Sequence, residues 1–367
     1  MQNPLRFQWV FIFQYIIFLY IRSINIIMKI KIKKYVLPLK HTFSISRESH
    51  DFQDSMIVAL ELDGKTGYGE ATSNPYYKIT FETMQAEIEK VRKAIEDFNF
   101  ITPEAFHAFL VSKNLSNFAI CALDLAANDL YGKILGKPLY EIWNTDNSSY
   151  PITNYTIGLD TIEKMVDKMK EMPWPIYKIK LGTDNDVEII RELRKHTDAI
   201  FRVDANCAWT AEETIANAPL LKDLGVEFLE QPLKADDWTG MEAVMHQSVL
   251  PVIADESCIV ESDVEKCALH FNGIHIKLTK CGGLTPARRM IKRAQELNLQ
   301  VMVGLYDRNP QLGISGHCPN LISSIGIMWK WTGFLFFEKR KLADGLILSG
   351  KGEKYSFLLM EGDGKPF

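Results

Sequence analysis

The chain changes rhythm near residue 150. Before that point, from Met28 to about residue 70, apolar and polar residues alternate in short runs: M-K-I-K-I-K-K-Y-V, D-S-M-I-V-A-L-E-L and T-G-Y-G-E-A. Side chains of a strand alternate faces, so this period of two predicts a β-meander with a tight turn at the D-G between the last two runs. From Phe81 to about Gly136 the spacing becomes helical. The alanine-rich run A-I-C-A-L-D-L-A-A-N-D-L-Y-G-K-I-L-G-K-P ends in glycine and proline, which stop helices. Residues 28–140 therefore read as an α+β domain.

Beyond residue 150 short apolar runs recur: Y-T-I-G, Y-K-I-K-L, A-I-F-R-V-D, V-E-F-L-E, P-V-I-A-D-E, G-I-H-I-K-L and Q-V-M-V-G. Helical stretches separate them. That alternation predicts a parallel sheet with crossover helices, and this many units favours a (β/α) barrel over residues 141–345. An open doubly wound sheet is the alternative, but no G-x-G-x-x-G follows a strand. Residues 346–367 are expected to return to the first domain.

Composition excludes more than it names. With 47% hydrophobic and 24% charged residues the chain reads as globular and soluble. A net charge of −4 gives no footprint for nucleic acid. Eight histidines form no H-x-H or H-E-x-x-H pattern, so an imidazole metal site is not expected. Six cysteines show no C-x-x-C pair, which points to a reducing, cytoplasmic compartment. The apolar run at 7–21 is shorter than the ~20 residues of a spanning helix and is broken by two glutamines. No small-residue cleavage site follows it. The favoured reading of residues 1–27 is a mis-chosen start with Met28 as initiator. Export or membrane anchoring is the alternative.

Charge at the strand ends changes the picture. Five successive strands end in Lys178 and Lys180, in Asp204, in Glu230, in Asp255 with Glu256, and in Lys280. One such charge is ordinary loop chemistry. Five in succession, one per βα unit, converge on one barrel mouth. Three neighbouring carboxylates would repel one another if buried alone, and a hard divalent cation resolves this. An all-oxygen set with room for water and substrate indicates Mg²⁺. Lys178 and Lys180 share a strand face. Lys280 is expected on the sixth barrel strand, across from Lys180. A base on each side of one carbon suits removal of a proton from one face and return to the other. The cation would stabilise the enediolate, and Lys178 would tune Lys180.

At these residues the chain resembles the enolase superfamily, muconate-lactonising subgroup, and within it the dipeptide epimerases. The matching strings are Y-K-I-K-L-G, R-V-D-A-N, F-L-E-Q-P, I-A-D-E-S, I-K-L-T-K-C-G-G-L and A-L-D-L-A-A-N-D-L-Y-G-K. The resemblance implies an enolase-type (β/α) barrel, a modified TIM barrel, with an N-terminal α+β capping domain. It implies Asp204, Glu230 and Asp255 as Mg²⁺ ligands and Lys180 and Lys280 as acid/base residues. Lys178, Asn206 and Glu256 would support them. Arg47, in F-S-I-S-R-E-S, would pair with a side-chain carboxylate of the substrate. The implied reaction is 1,1-proton transfer on a dipeptide, with L-Ala-D/L-Glu, a peptidoglycan fragment, as best substrate. A homo-oligomer is compatible with this. The alternatives are a cycloisomerase or o-succinylbenzoate-synthase-like reaction, or a barrel that only binds metal and a carboxylate.

The pattern breaks after residue 304. Family text carries acids near the ends of the seventh and eighth strands, but here L-Y-D-R-N-P and W-K-W-T-G stand instead. Read one or two bases out of frame, four segments of 306–332 permit family text, including Met-Thr-Glu over Tyr306–Arg308 and Glu-Met-Asp over W-K-W-T. An out-of-frame reading is thus expected, with true divergence and an aromatic binding surface as the alternative. Resequencing the DNA for residues 295–340 should restore both acidic strings; an unchanged reading would establish divergence.

Overall fold

The computed structural model describes residues 27–45, 48–144, 154–304, 346–350 and 355–359. Arg47, the apolar run at 7–21 and the whole of 305–332 lie outside the described residues.

Strands β1 (Lys29–Ile45), β2 (Glu48–Leu62) and β3 (Lys65–Thr72) form an antiparallel sheet in that order. The expected D-G turn joins β2 to β3, with Asp63 and Gly64 both at positive φ, 49° and 67°. Such a pair suits the right-handed twist of a hairpin. Helices α1 (Phe81–Glu96), α2 (Pro103–Val111) and α3 (Asn117–Leu135) follow. Each begins where a hydroxyl satisfies an orphan amide: Thr80, Thr102 and Ser116 accept from the third residue onward. Gly136, at φ 64°, ends α3 in the left-handed conformation.

Helix α3 is buried along most of its length because both domains use it. Ala119, Ala122 and Ala126 pack with Met56, Val58 and Leu60 of β2. Cys121 and Leu125 pack instead with Leu278 and Leu284 of the barrel. Strand β3 lies directly on the helix backbone. A Cβ at Gly69 would stand 2.0 Å from the Ala122 carbonyl oxygen and 2.5 Å from the Ala126 nitrogen. Glycine on the strand and alanine on the helix are what this approach requires.

The second domain repeats strand and helix: α4 (Leu139–Ile142), β4 (Tyr155–Ile157), α5 (Ile162–Glu171), β5 (Ile176–Lys180), α6 (Asp186–Arg194), β6 (Ile200–Asp204) and α7 (Ala211–Asp223). It continues with β7 (Val226–Glu230), α8 (Trp238–Gln247), β8 (Val252–Ala254), α9 (Val264–Ala268), β9 (Gly273–Lys277), α10 (Leu278–Cys281), α11 (Leu284–Glu296) and β10 (Gln300–Gly304). Strands β4 to β10 form one parallel sheet in chain order, each beside its predecessor. This is the expected capping domain and (β/α) architecture, with seven barrel strands among the described residues. Strands β11 (Leu346–Gly350) and β12 (Tyr355–Leu359) pair antiparallel with each other.

Alternation within the strands sets up the interior. Tyr177 and Ile179 of β5 face outward, packing with Met165, Ile190 and Phe201. Lys178 and Lys180 therefore point the other way. Register then aligns charges: Lys180 lies opposite Asp204, and Asp204 opposite Glu230. No helix among the described residues is long and apolar enough to cross a membrane.

Gly69→Ala forces β3 off α3. We expect a loss of about 3 kcal/mol or more of unfolding free energy, read by urea denaturation. A change within error would show that the seam can open at no cost.

Candidate active site

The ends of β5 to β9 gather a cluster of buried charges. Asp204 and Asp255 are fully buried and Glu230 is nearly so. The Lys178 ammonium bridges two of them, with Nζ 2.8 Å from Asp204 Oδ2 and 2.7 Å from the Glu230 carboxylate. Lys180 Nζ lies 2.7 Å from the same Asp204 oxygen. Lys277, the last residue of β9, reaches Asp255 Oδ2 at 2.5 Å. Each carboxylate expected to hold a cation thus also has a lysine beside it.

Those pairings decide the charge states. Burial pushes the Asp204 carboxyl up, but Lys178 and Lys180 outweigh it and hold it below the usual carboxylate range. Asp255 is held down in the same way, burial being overcome by Lys277 and Lys280. Burial favours a neutral Lys178, yet Asp204 and Glu230 keep it above the ordinary lysine range. Asp255 and Glu256 do the same for Lys277.

Local backbone geometry holds the acids in place. After β6 the chain turns through Asn206 (φ 48°) and Cys207 (φ 67°), and the Asn206 amide donates to Asp204 Oδ1 at 3.0 Å. Gln231 follows Glu230 and crosses to the β8 loop. Its Oε1 accepts from the amides of Asp255 and Ser257, at 2.9 and 3.0 Å. Gln231 thus fixes the backbone of Asp255, a role the F-L-E-Q-P string hides because its partners are distant in sequence.

The placement of Lys280 corrects the sequence expectation. Strand β9 ends at Lys277, and Lys280 lies on the short helix α10. Its ammonium is enclosed by the Asp255 carbonyl, Asp255 Oδ1 at 2.7 Å, Cys258 O at 2.9 Å and His275 O at 3.4 Å. Its side chain is wholly buried. An ammonium so surrounded has no proton left to offer a ligand. The period of two in I-H-I-K carried the missed signal: His275 and Lys277 share the inward face, as Lys178 and Lys180 do on β5.

His275 was also missed, since pairwise histidine motifs cannot reveal a lone ring. It is fully buried, with Nδ1 2.7 Å from Glu230 Oε1. Burial pushes its pKa down, so the ring is neutral and Nδ1–H donates to Glu230. Its Nε2 has no hydrogen-bond partner among the described residues. Donor atoms of Glu230, Asp255 and His275 lie within 4.8 Å of one another. Asp204 adjoins them through the shared Lys178 ammonium. The Asn206 side-chain oxygen is buried and has no hydrogen-bond partner among the described residues. A buried, carboxylate-rich set with a spare amide oxygen fits a hard divalent cation. Glu256 is buried beside it, next in sequence to Asp255.

Residues 27–143 match the mandelate racemase / muconate lactonizing enzyme N-terminal domain, and residues 160–347 match the enolase C-terminal domain-like family. The chain belongs to the enolase superfamily. An L-Ala-D/L-amino acid epimerase of Maribacter sp. is 75% identical over 288 residues, which cover 78% of this chain and 85% of that protein. One from Flavobacterium johnsoniae is 60% identical over 290 residues, covering 78% and 86%. A solved dipeptide epimerase from Enterococcus faecalis V583, complexed with Mg and the dipeptide L-Leu-L-Tyr, matches with a TM-score of 0.79 at 26% identity. That match covers 93% of this chain and 100% of that one. The dipeptide-epimerase resemblance carried by the strand-end strings is therefore shared with close relatives in the enolase superfamily.

The depressed carboxyls set a pH dependence for this enolase-superfamily barrel. Their folded pKa values lie below the unfolded ones, so the stability they add is complete above about pH 4 and is lost as pH falls further. Asp204→Asn should flatten the fall in melting temperature between about pH 4 and pH 2 in metal-free protein. An acid limb as steep as that of the wild type would show that Asp204 is not held down in the folded state.

Proposed function

We propose that this protein is a Mg²⁺-dependent dipeptide epimerase, an isomerase that inverts one α-carbon by 1,1-proton transfer. The observation that carries the reading is the flanking of one carboxylate row by Lys180 on β5 and Lys277 on β9. Each is paired with the acid nearest it. Both side chains keep slight exposure, 7% and 8%, whereas Lys280 has none. Lys180 and Lys277 are thus the acid/base pair of this proposal, and Lys277 takes the role first expected of Lys280.

Asp204, Glu230 and Asp255 would hold the Mg²⁺. Bound there, the ion supplies the positive charge that makes a proton next to a carboxylate removable. With the charge of the acids drawn to the ion, they would hold the ammonium form less strongly, and one lysine, as the neutral amine, would take the α-proton and become ammonium. The other, as ammonium, returns a proton to the opposite face and becomes neutral, so protons and charge balance. Lys178 stays cationic between Asp204 and Glu230. His275 donates to Glu230 and Gln231 anchors Asp255, so neither acid is free to swing. Arg47 remains the proposed contact for a side-chain carboxylate of the substrate.

The names of the close relatives support a dipeptide with N-terminal L-Ala whose second residue is inverted. L-Ala-D/L-Glu is the first substrate to try, and other second residues follow from the breadth of those names. The free, largely buried cysteines among the described residues support a cytoplasmic setting.

In D₂O with Mg²⁺ and L-Ala-L-Glu, we expect deuterium at the α-carbon of the second residue together with inversion. Chelation of the metal should abolish both. Lys277→Ala and Lys180→Ala should each lower turnover by about 10³-fold, and each should spare exchange on one face only. Absence of exchange on every dipeptide tried would overturn the epimerase reading. Full activity in Lys277→Ala would return the second role to Lys280.

A further inference from the structure

The string C-G-G-L-T, just after Lys280, meets the string A-L-D-L-A-A-N of α3. Helix α11 begins at Gly283, which has no side chain to cap it. Its first amides are satisfied from the other domain. Asp124 Oδ2 accepts from the Thr285 amide at 2.9 Å, with the Leu284 amide and the Thr285 hydroxyl also in reach of the carboxyl. Asn128 Nδ2 joins the two sides, donating to Asp124 O at 2.8 Å, Asp124 Oδ2 at 3.2 Å and Thr285 Oγ1 at 3.3 Å. All three residues are buried. A helix N-terminus with its amides turned to a carboxylate is the ordinary capping arrangement, here made between domains.

Gly283 is the other half of the device. Its φ is 117°, and a Cβ there would stand 2.4 Å from Asp124 Oδ2. One turn earlier along the same connection, Asn117 Nδ2 donates to the Lys280 carbonyl at 2.6 Å. Asn117 and Asp124 are two helical turns apart and so share one face of α3. That face grips the connection from β9 to α11 at two points. Lys277 is the residue from which the connection departs.

We propose that Asp124, seconded by Asn117, is a positioning residue for Lys277: the capping domain fixes the corner that aims this lysine. The proposal rests on the assignment of Lys277 as an acid/base residue. It predicts an effect on one face of the substrate only, because Lys180 stands on β5, away from this corner. Burial pushes the Asp124 carboxyl up to about 7, so an uncharged side chain of the same shape is a close replacement. A lysine displaced by about 1 Å loses on the order of 100-fold in rate.

The test uses the full chain with Mg²⁺ and two readouts. The first is deuterium exchange of the backbone amides of Leu284 and Thr285. The second is α-proton exchange in D₂O from each substrate epimer separately, the Lys277 face being the one that Lys277→Ala silences. Asp124→Ala should expose both amides and slow the Lys277 face by about 10- to 100-fold, leaving the Lys180 face within about threefold. Asp124→Asn should recover most of the loss. If Asp124→Ala does not fold, Asn117→Ala, which removes one bond, should give the same one-sided loss at smaller size. Equal loss on both faces, or unchanged protection of the two amides, would overturn the proposal. Exchange of neither epimer by the wild type would instead defeat the epimerase reading. The proposal about Lys277 would then fall, and amide protection would separately show whether Asp124 caps α11.

Discussion

Everything at the mouth of this barrel depends on a balance of buried charge. Asp204, Glu230 and Asp255 are removed from water, and Lys178, Lys180, Lys277 and Lys280 are buried with them. Isolated, any one of these ions would cost several kcal/mol to bury. They form two groups, Lys178 and Lys180 with Asp204 and Glu230, and Lys277 and Lys280 with Asp255, in which every carboxylate touches at least one ammonium. The groups also separate their members by duty. Lys178 bridges two acids and Lys280 is enclosed by carbonyls, so both are fixed. Lys180 and Lys277 each reach one carboxylate from the rim of the cluster.

The arrangement follows from simple geometry. A strand alternates its side chains, and parallel register sets like positions side by side. With outward positions taken by Tyr177, Ile179, Phe201 and Val203, the inward ones are left to charge. The loops then refine what the strands place. Positive φ at Asn206 turns an amide onto Asp204, and Gln231 ties the β8 loop to the end of β7.

Much of this was legible in the sequence. The seven barrel strands, the meander and its D-G turn followed from period and punctuation, because each is a local property. Asp204, Glu230 and Asp255 could be grouped from the sequence because one acid per βα unit is also a local repeat; that they hold a metal is part of the proposal. What failed was the step from a string to a strand end. I-K-L-T-K offers two lysines, and the strand ends at Lys277, not at Lys280. His275, Gln231 and Asp124 act through partners from 24 to 161 residues away, so no motif could expose them. Arg47 and the W-K-W-T segment fall outside the described residues, so their reading rests on the sequence alone.

Helix α3 carries a consequence for how such a protein could change. It belongs to two cores at once, lending alanines to the capping sheet and Cys121 and Leu125 to the barrel. Gly69 on one side and Gly283 on the other are cut to its backbone and to Asp124. A chimaera that joined this barrel to a relative's capping domain would therefore bring in a helix shaped for a different corner. The exchangeable module here is not the domain as its boundaries suggest, but the domain together with the Cys281–Thr285 corner it grips.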